Sequence, residues 1–464
     1  MLDEPKDRLT SDDLSGQLHD IQGGLVTDYD TLAASFVFFK IGYPVKARGW
    51  LSALIAKVTP ASAEAPHETF NIAFSNRGMR RMGVSAATLE GFPTPFREGM
   101  AARAAHLGDR GPSDPAHWQD GLGGADIHVL VWLTGPNAAL VEARRAELVT
   151  YSKMQGVSEV SHIDASVQFE AGSGCPAAHF GYVDPVSQPA IAGLDDGAPG
   201  DGARDGDSWR PIKPGEFLLG YENELGETTP VPGSIELGLN GTFFAFRKAE
   251  QHVGLFRDYL KQGAAALWGT DDAASQERFA AKIVGRWRSG CPLALSPQRD
   301  DADIGADPKR ANAFDHADDP DGLKCPLGAH IRRMNPRAAK LTTTTDINRK
   351  RVLRRGLEYG PALAEGEPDD GVERGQAGMI VCADLELQFE FLQSQWIDKG
   401  DFLGLPSDER DPLIGTHDGG GGFTVPGADM PFLFDLAQLV TVRGGEYFFA
   451  PSLTALRGLA ARKF

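Results

Sequence analysis

Residues 324–337, KCPLGAHIRRMNPR, place one histidine close to several cationic side chains. His330 is followed within this run by Arg332, Arg333 and Arg337. An imidazole can ligate a metal ion, and neighbouring guanidinium groups suit a bound polyanion such as the propionates of a haem. The alternative is that these residues bind no cofactor, because many histidines and basic runs belong to the core or to a solvated surface. The pattern therefore suggests a cofactor site, with a basic surface as the competing interpretation.

Two further segments could supply groups for acid–base chemistry. Residues 351–361, RVLRRGLEYGP, contain the adjacent Arg354 and Arg355. Side chains alternate between the two faces of an extended segment, so one of these arginines should point inward. Residues 179–189, HFGYVDPVSQP, place Asp184 in a loop punctuated by Gly and Pro. This aspartate is either a turn former or an acid–base group.

The elements that must position these residues follow from the apolar pattern of the chain. The first half shows strand-like runs with two helical patterns between them, in the order β-α-β-β-α-β. The predicted strands cover residues 33–41, 69–74, 127–133 and 163–169, and the predicted helices cover 46–58 and 136–154, the second opened by Pro136. This order predicts a split βαβ unit, the ferredoxin-like arrangement of an antiparallel sheet with helices on one face.

A similar order recurs in the second half. The predicted strands cover residues 241–248, 379–383, 423–425 and 440–449, and the predicted helices cover 250–263 and 385–396. An acidic, Gly-rich break near residues 195–212 is either an interdomain linker or a surface loop. We place a domain boundary there, with an N-terminal domain over 1–205 and a C-terminal domain over 206–464. Residues 264–376 form a long insert in the second domain, and long irregular segments are usually functional. The expected fold class is α+β, with two ferredoxin-like halves forming an antiparallel-sheet sandwich.

Composition excludes some classes of function. The 464 residues carry a net charge of −18, which argues against a nucleic-acid partner and against binding to anionic lipid. No apolar run approaches the roughly 20 residues that a membrane helix needs, so we expect no membrane partner. The charged N-terminus shows no secretion signal and the four cysteines form no CxxC motif, which predicts a cytoplasmic protein without a disulfide framework.

Taken together, these segments resemble the dye-decolorising peroxidase family of haem peroxidases. The resemblance extends over nearly the whole chain and is most specific in the HIRR and NPR run and in RRGLEYGP. Further matching segments are NIAFSNRGMRRMG (71–83), PFREGMAARAAHLGD (95–109), KPGEFLLGYENELG (213–226), AKIVGRWRSGCPLALSP (281–297), QFEFLQSQW (388–396) and GGEYFFAPSLTAL (444–456). The chain looks most like the long-chain branch, and the double ferredoxin-like fold of the family agrees with the strand order above.

The resemblance implies roles for five residues. His330 matches the proximal histidine that ligates haem iron, and Arg337 matches an arginine that pairs with a haem propionate. Asp184 and Arg354 match the distal aspartate and the distal arginine. Asp411, in DPLIG, is the expected partner of the proximal imidazole. These assignments predict one haem b per chain, held in the second half.

The function implied by the resemblance is the reduction of hydrogen peroxide and the oxidation of dyes, phenols or similar small one-electron donors through a ferryl intermediate. Asp184 would move the proton, and Arg354 would stabilise the developing negative charge. Because an ordinary aspartate titrates near 4, the expected pH optimum is acidic, at roughly pH 3 to 5. The competing hypothesis is a haem-binding or haem-handling protein with little peroxidase turnover, which would need His330 but not the distal pair.

The chain departs from the family pattern at two places, and two of its aromatic residues are candidate electron relays. Pro185 replaces the family's glycine after the aspartate, and a proline restricts the residue before it to extended geometry. Ala377 and Gly378 stand where long-chain members usually carry bulky apolar residues, which predicts a roomier distal pocket. Trp396 and Tyr359 are candidate electron relays for donors that cannot reach the haem, although most such aromatics belong to the core.

Overall fold

A closed antiparallel β-barrel forms the centre of the computed structural model. The structure describes residues 9–29, 31–64, 66–169, 176–183, 187–206, 208–337, 346–417 and 420–464. The strands are β1 (Ala33–Ile41), β2 (Thr69–Phe74), β3 (Val129–Gly135), β4 (Val157–Ser166), β5 (Ala203–Asp205), β6 (Ser208–Arg210), β7 (Thr242–Gln251), β8 (Leu353–Tyr359), β9 (Gly375–Cys382), β10 (Gly422–Thr424), β11 (Phe432–Phe434) and β12 (Val440–Ala450). Eight of them form the barrel, and the pairs β5–β6 and β10–β11 form small separate sheets.

Helices and turns surround the barrel. The α-helices are α1 (Ser11–Gln17), α2 (Gly23–Val26), α3 (Pro44–Leu54), α4 (Asn76–Met82), α5 (Ala86–Glu90), α6 (Thr94–Glu98), α7 (Ala104–Leu107), α8 (Ala138–Met154), α9 (Ile235–Gly238), α10 (Val253–Trp268), α11 (Ala273–Val284), α12 (Ala302–Gly305), α13 (Pro308–Asn312), α14 (His330–Met334) and α15 (Leu453–Ala460). Two consecutive π-helical segments cover Leu385–Glu390 and Leu392–Ile397. Short 3-10 turns cover Ile55–Lys57, Met100–Arg103, Gly111–Ser113, Pro115–His117, Pro214–Glu216, Ile347–Lys350 and Phe402–Gly404.

The barrel consists of two sheets with the same internal order. The first four strands lie in the order β4-β1-β3-β2, and the last four lie in the order β12-β7-β9-β8. Each sequence corresponds to the order 4-1-3-2 of a ferredoxin-like sheet, so the two predicted halves and the α+β class are confirmed. Phe74 pairs with Phe449 at one seam and Ser166 pairs with Glu358 at the other. The two sheets therefore meet along both edges, and the expected sandwich is closed into a barrel.

Strand β1, AASFVFFKI, shows why the barrel strands are apolar on both faces. Phe36 and Phe38 point into the barrel, where their rings lie 5.3 and 5.1 Å from the ring of Phe246. Phe39 points outward and meets Trp50 of α3 with ring centroids 5.9 Å apart. Because helices cover the outer face, a continuous apolar run is more stable here than strict alternation.

The second half differs from the sequence prediction at one strand. Residues 423–425 were expected in the main sheet, but Phe423 pairs with Leu433 in the β10–β11 hairpin. The corresponding place in the barrel belongs to β8, LRRGLEY, which pairs with β9. An apolar run predicts a strand but does not identify its partner strand. The sequence does not predict β8 as a barrel strand, because two adjacent arginines, a glycine and a glutamate interrupt its apolar pattern.

Helix starts in the first half also correct one prediction. Pro136 does not open α8, because the helix begins at Ala138 after Asn137, whose side chain accepts a hydrogen bond from the Leu140 amide at 2.9 Å. Pro44 instead occupies the first turn of α3, where the missing amide hydrogen costs little.

The predicted insert, residues 264–376, is folded over much of its length. It contains helices α11 to α14 and strand β8, so it contributes both to the barrel and to the layer outside it. The predicted domain boundary near residue 205 falls at the β5–β6 hairpin, and the division into two domains stays a prediction. Among the residues that the structure describes, no helix is both long enough and apolar enough to cross a membrane.

Candidate functional site

His330 is the first residue of the short helix α14, and its imidazole faces a buried carboxylate. The Nδ1 atom lies 2.9 Å from Oδ2 of Asp411. Asp411 is distant from His330 in sequence, and its side chain is entirely buried. An ionised carboxylate can only accept, so Nδ1 carries the hydrogen and Nε2 carries the free lone pair. Within the described part of the chain, Nε2 makes no hydrogen bond. The tautomer is therefore the one that leaves Nε2 available to a metal ion.

Asp411 is held rigidly on the side away from His330. Its Oδ1 atom accepts hydrogen bonds from the amides of Leu413 and Ile414 at 2.9 and 3.0 Å. Burial alone would raise the pKa of this carboxyl, but His330, the nearby Arg333 and the backbone amides together lower it below its ordinary value. The carboxylate therefore stays ionised and fixes the orientation of the imidazole.

Replacing Asp411 by asparagine should weaken metal ligation through the tautomer. In Asp411→Asn the amide oxygen can keep the two backbone hydrogen bonds, which turns the Nδ2 hydrogens toward His330. Nδ1 would then have to accept, and the hydrogen would move to Nε2, where it blocks the lone pair. We expect haem affinity to fall about 10- to 100-fold, measured by haem titration of the apoprotein.

The matched control for that change is Asp272→Asn. Asp272 caps α11 on the surface by accepting from the Ser275 amide, and asparagine caps helices equally well. Its haem affinity should equal that of the wild type. Wild-type affinity in Asp411→Asn would show that the contact with His330 does not set the tautomer.

Arg333 positions α14, a role that the sequence did not reveal. Its side chain is fully buried and donates to four backbone carbonyls, those of Gly328, Trp396, Lys399 and Glu409. Burial lowers the pKa of this guanidinium to about 10, with nearby carboxylates opposing the shift. Arg333 therefore ties the helix of His330 to the segment that leads to Asp411, and it is not available to a polyanion.

The guanidinium of Arg332 also bonds to groups of the protein itself. It is almost fully buried and forms an ion pair with Asp319 at 2.9 Å, with a further hydrogen bond to the Cys325 carbonyl. Of the three arginines near His330 in sequence, two therefore stabilise the fold, and the expectation that they surround a polyanion is wrong for both.

Arg337 retains capacity for an anion. Its Nη1 donates to the carbonyls of Asn312 and Phe314, both at 2.8 Å, and its Nη2 donates to the Asn312 side chain. Among the described residues these are its hydrogen bonds, so Nε–H and one Nη2–H remain for another acceptor. Burial strongly lowers the pKa of this guanidinium. Its φ of 37° is in the left-handed region, a strained conformation that often marks functional sites.

Arg354 lies on the outer face of β8, against the loop that follows Asp184 in sequence. Its Nη2 donates to the carbonyl of Ser187 at 2.7 Å. The side-chain amide of Gln188 accepts from the Arg354 amide and donates to its carbonyl, both at 3.1 Å. Asp184 and Pro185 lie outside the described residues. The loop is thus anchored to Arg354 by the residues that follow them.

Asn312 connects the Arg354 side of the site to Arg337. Its Nδ2 lies 3.3 Å from the hydroxyl of Ser187, while its oxygens accept from Arg337. The structure therefore joins two of the predicted arginines through Ser187 and Asn312, and it joins His330 to Asp411 separately. No sequence signal identified Asn312, because its partners Ser187, Asp201 and Arg337 come from three distant segments.

The alternation along β8 separates the two adjacent arginines. Arg354 is on the outer face of the barrel, and Arg355 points into the barrel interior. Gly378 pairs across the sheet with Gly356 and shares the face of Arg354. Among the described residues, a Cβ at Gly378 would meet a single neighbouring atom, at 3.9 Å, so these residues leave space on this face. Ala377 lies on the opposite face in the barrel core, and the prediction that it enlarges the pocket is wrong.

Trp396 and Tyr359 are both buried. The Trp396 ring packs edge-on against Phe391 and Phe402, at 5.5 and 6.1 Å. The Tyr359 hydroxyl donates to Glu373 at 3.1 Å, and burial raises the pKa of this phenol. Neither side chain lies at the surface, and a role in electron transfer stays a prediction for both.

These residues fit a haem. The imidazole of His330 offers a lone pair at Nε2 with the opposite nitrogen fixed by a carboxylate, which is the arrangement that strengthens a metal-bound histidine. Arg337 offers unused N–H groups in a buried position, as a propionate requires. Arg354 supplies a permanent cation near an anchored loop. The described residues therefore have the donor groups that a haem needs for its iron and for a propionate, and a cation for the distal side.

The chain is similar in sequence and in structure to known proteins of one family. A family model for the DyP dimeric alpha+beta barrel domain matches residues 20–168. The chain is 30% identical over 484 residues to a dye-decolorizing peroxidase of Mycena epipterygia, covering 96% of this chain and 87% of that protein. It is similar to the structure of a fungal DyP-type peroxidase from Auricularia auricula-judae, with a TM-score of 0.81, 29% identity and coverage of 96% and 99% of the two chains. A dye-decolorizing peroxidase in complex with 2,6-dimethoxyphenol is similar at a TM-score of 0.81 and 26% identity, with coverage of 96% and 99%.

Proposed function

Because the chain belongs to the dye-decolorizing peroxidase family, we propose that His330, Asp184 and Arg354 carry its chemistry. The protein is a haem-dependent peroxidase that reduces hydrogen peroxide and oxidises dyes and phenols. The observation that supports the assignment best is the 2.9 Å contact between His330 Nδ1 and Asp411, which leaves Nε2 free. Asp184 enters the proposal through its place in the sequence motif and through the anchored residues after it.

On the proximal side, His330 would hold the iron through Nε2, and Arg337 would hold a propionate. Haem, when bound, supplies the redox chemistry, accepting oxidising equivalents from peroxide and passing them one at a time to donors. Asp411 accepts the Nδ1 hydrogen and so makes the imidazole a stronger electron donor. We propose haem b with one copy per chain, since His330 lacks the CxxCH context that covalent attachment of haem requires.

On the distal side, the peroxide must lose a proton from one oxygen and gain a proton on the other while the O–O bond breaks. Asp184 would accept the first proton and return it to the departing oxygen. Arg354, permanently charged, would stabilise the negative charge that develops on that oxygen. Ser187 and Gln188 support this assignment, since their contacts with Arg354 fix both the guanidinium and the loop.

For donors that cannot reach the haem, we propose Trp396 and Tyr359 as electron relays. The Trp396 side chain belongs to an apolar cluster against which Met334 packs, and Met334 lies in α14, the helix that begins at His330. The Tyr359 hydroxyl already donates to the Glu373 carboxylate, which could take its proton on oxidation. Small phenols are the donors we favour, by analogy with the relative seen with 2,6-dimethoxyphenol.

We also propose a cytoplasmic location. The three cysteines that the structure describes, Cys291, Cys325 and Cys382, are unpaired and buried. Unpaired thiols are typical of a reducing compartment.

The pH profile tests Asp184 as the acid–base group. An ordinary aspartate titrates near 4, so turnover of a donor that does not itself titrate should peak at roughly pH 3 to 5. At neutral pH the carboxylate is ionised and accepts the first proton, and acid favours the later steps, which consume protons. We expect Asp184→Asn to abolish this acidic maximum, in steady-state rates with peroxide and a phenol.

The steady-state rate of the wild type separates the peroxidase from a protein that only binds haem, since the latter would show little turnover. The comparison with Asp184→Asn tests the aspartate. A neutral optimum that is identical in the wild type and in Asp184→Asn, with full reactivity toward peroxide, would remove Asp184 from the mechanism. Glu98→Gln, at an exposed carboxylate on α6, is the control and should keep the wild-type profile.

A further inference from the structure

A cavity of ≈ 80 Å³ lies on the face of β8 opposite Arg354, at one end of the barrel interior. Its apolar walls include Phe36, Trp132 and Met379, all part of the aromatic core inside the barrel. The segment after α2, with Asp28, covers its end, and Arg355 enters from β8. The volume exceeds by several-fold what one water molecule needs, and it corresponds to a molecule of a few non-hydrogen atoms.

Arg355 is the cationic group of this cavity, and its hydrogen bonds are incomplete. Its side chain is 9% exposed. Nη1 donates to the carbonyl of Arg354 at 2.9 Å, whereas the buried Nε has no partner. The carboxylate of Asp28 lies 4.0 Å from Nη1, at the limit of an ion pair, and is 57% exposed to solvent. A buried guanidinium with an unused donor and a distant counter-ion is costly unless another acceptor completes it.

The polar side chains around Arg355 do not complete it. The hydroxyls of Thr69 and Thr134 bond to each other at 2.7 Å, and the hydroxyl of Tyr29 donates to the Pro60 carbonyl at 3.2 Å. Burial lowers the pKa of Arg355, with Asp28 opposing this shift, but an arginine stays protonated at any ordinary pH. Among the described residues, no side chain supplies the missing partner, so a small ligand has an unused donor to bind.

We propose that this cavity is a binding site for a small carboxylate, of the size of acetate or formate, which accepts a hydrogen bond from Arg355 Nε. The planar fork of a guanidinium matches the two oxygens of a carboxylate, and a bound anion would balance the charge that Asp28 neutralises incompletely. The aromatic walls suit the hydrogen or methyl group of such an anion. This site is separate from the peroxidase site, because Arg355 and Arg354 leave β8 on opposite faces.

Calorimetric titration of the haem-loaded protein with sodium acetate tests the proposal, at pH 7 and at constant ionic strength set with sodium chloride. We expect one acetate per chain with a Kd on the order of 1 mM, as befits a ligand of so few atoms. The Soret band should not change during the titration, since Arg355 and Arg354 leave β8 on opposite faces. Absence of a saturable heat up to 50 mM acetate, about 50 times the expected Kd, would refute the proposal.

Variants identify the residue that binds. Arg355→Met should weaken acetate binding at least tenfold. Arg97→Met, at an exposed arginine on α6, should bind as the wild type does. Arg354→Leu should also keep the acetate site, and a loss of binding there would place acetate at the peroxidase site and overturn the proposal. Equal binding by Arg355→Met and the wild type would overturn it as well.

Asp28→Asn gives a test that does not depend on the folding of Arg355→Met. This change removes the negative charge of Asp28, which lies 4.0 Å from Arg355 and would repel acetate, so acetate should bind severalfold more tightly. Unchanged or weaker binding in Asp28→Asn would show that the anion does not sit against this guanidinium.

Discussion

His330→Ala should leave a folded protein that no longer holds haem with wild-type affinity. The imidazole is the one side chain of the described site with an unused lone pair fixed by a buried carboxylate. Loss of a neighbour that merely orients a ligand costs 10- to 100-fold in metal affinity, so loss of the ligand itself should cost roughly 100-fold or more. The measurement is a haem titration of the apoprotein followed at the Soret band, together with peroxide turnover.

The fold should survive this change because Asp411 keeps its two backbone hydrogen bonds. Its carboxylate loses the imidazole partner, and we expect a loss of stability of about 1–3 kcal/mol. Added imidazole should enter the space and restore part of the Soret band. His67→Ala, at an exposed histidine, is the control. Normal haem affinity and full activity in His330→Ala would place the ligand elsewhere.

Arg354→Leu should slow the reaction with hydrogen peroxide by a factor of about 100 to 1000. The removal of one donor aimed at a developing negative charge has an effect of this size in other enzymes. Haem binding should be unaffected, because the proposed propionate and iron contacts come from Arg337 and His330. The bimolecular rate constant with peroxide, measured by stopped flow, gives the result directly.

The structure provides two checks on that experiment. The hydrogen bonds of Gln188 go to the backbone of Arg354 and remain in the leucine variant, so the loop keeps two of its anchors. Arg354→Lys, which keeps the charge but loses the fork, should be slowed less than the leucine variant. Arg97→Leu should react at the wild-type rate. A change of less than fivefold in Arg354→Leu would remove the arginine from the reaction.

The parts of the site that could be predicted from sequence are those with a distinctive side chain in a distinctive run. His330 and Arg354 belong to such runs, and the family resemblance extended the prediction to Asp411, whose partner lies 81 residues away. Arg333 was missed because its partners are backbone carbonyls. Asn312 was missed because its partners, the side chains of Ser187, Asp201 and Arg337, are distant in sequence. A backbone carbonyl is the same at every position, so no pattern of residue types reveals such a contact.

Prediction of the fold from sequence has the same limit, because contacts between distant segments leave no local pattern. Strand β2 was predicted with its observed bounds, since its apolar run is short and bounded by polar residues. The run at 423–425 is equally strand-like, yet its partner is a local hairpin. Pairing is decided by contacts between distant segments, and periodicity carries information about one segment only. β8 shows the converse, because its partners β4 and β9 stabilise a strand whose own sequence is polar.

The order of strands around the barrel has a consequence for synthesis on the ribosome. The first sheet comes from one continuous stretch, residues 33–166, and can form as soon as that stretch has emerged. The barrel cannot close then, because the free edge of β2 pairs with β12, the last of the eight barrel strands to be synthesised. An open strand edge invites association with other chains, so the nascent protein is exposed to misassembly until β12 arrives. Both His330 and Asp411 emerge before that strand, and the frame around them is complete only afterwards. We therefore expect the prosthetic group to bind only after β12 has been synthesised and has paired with β2.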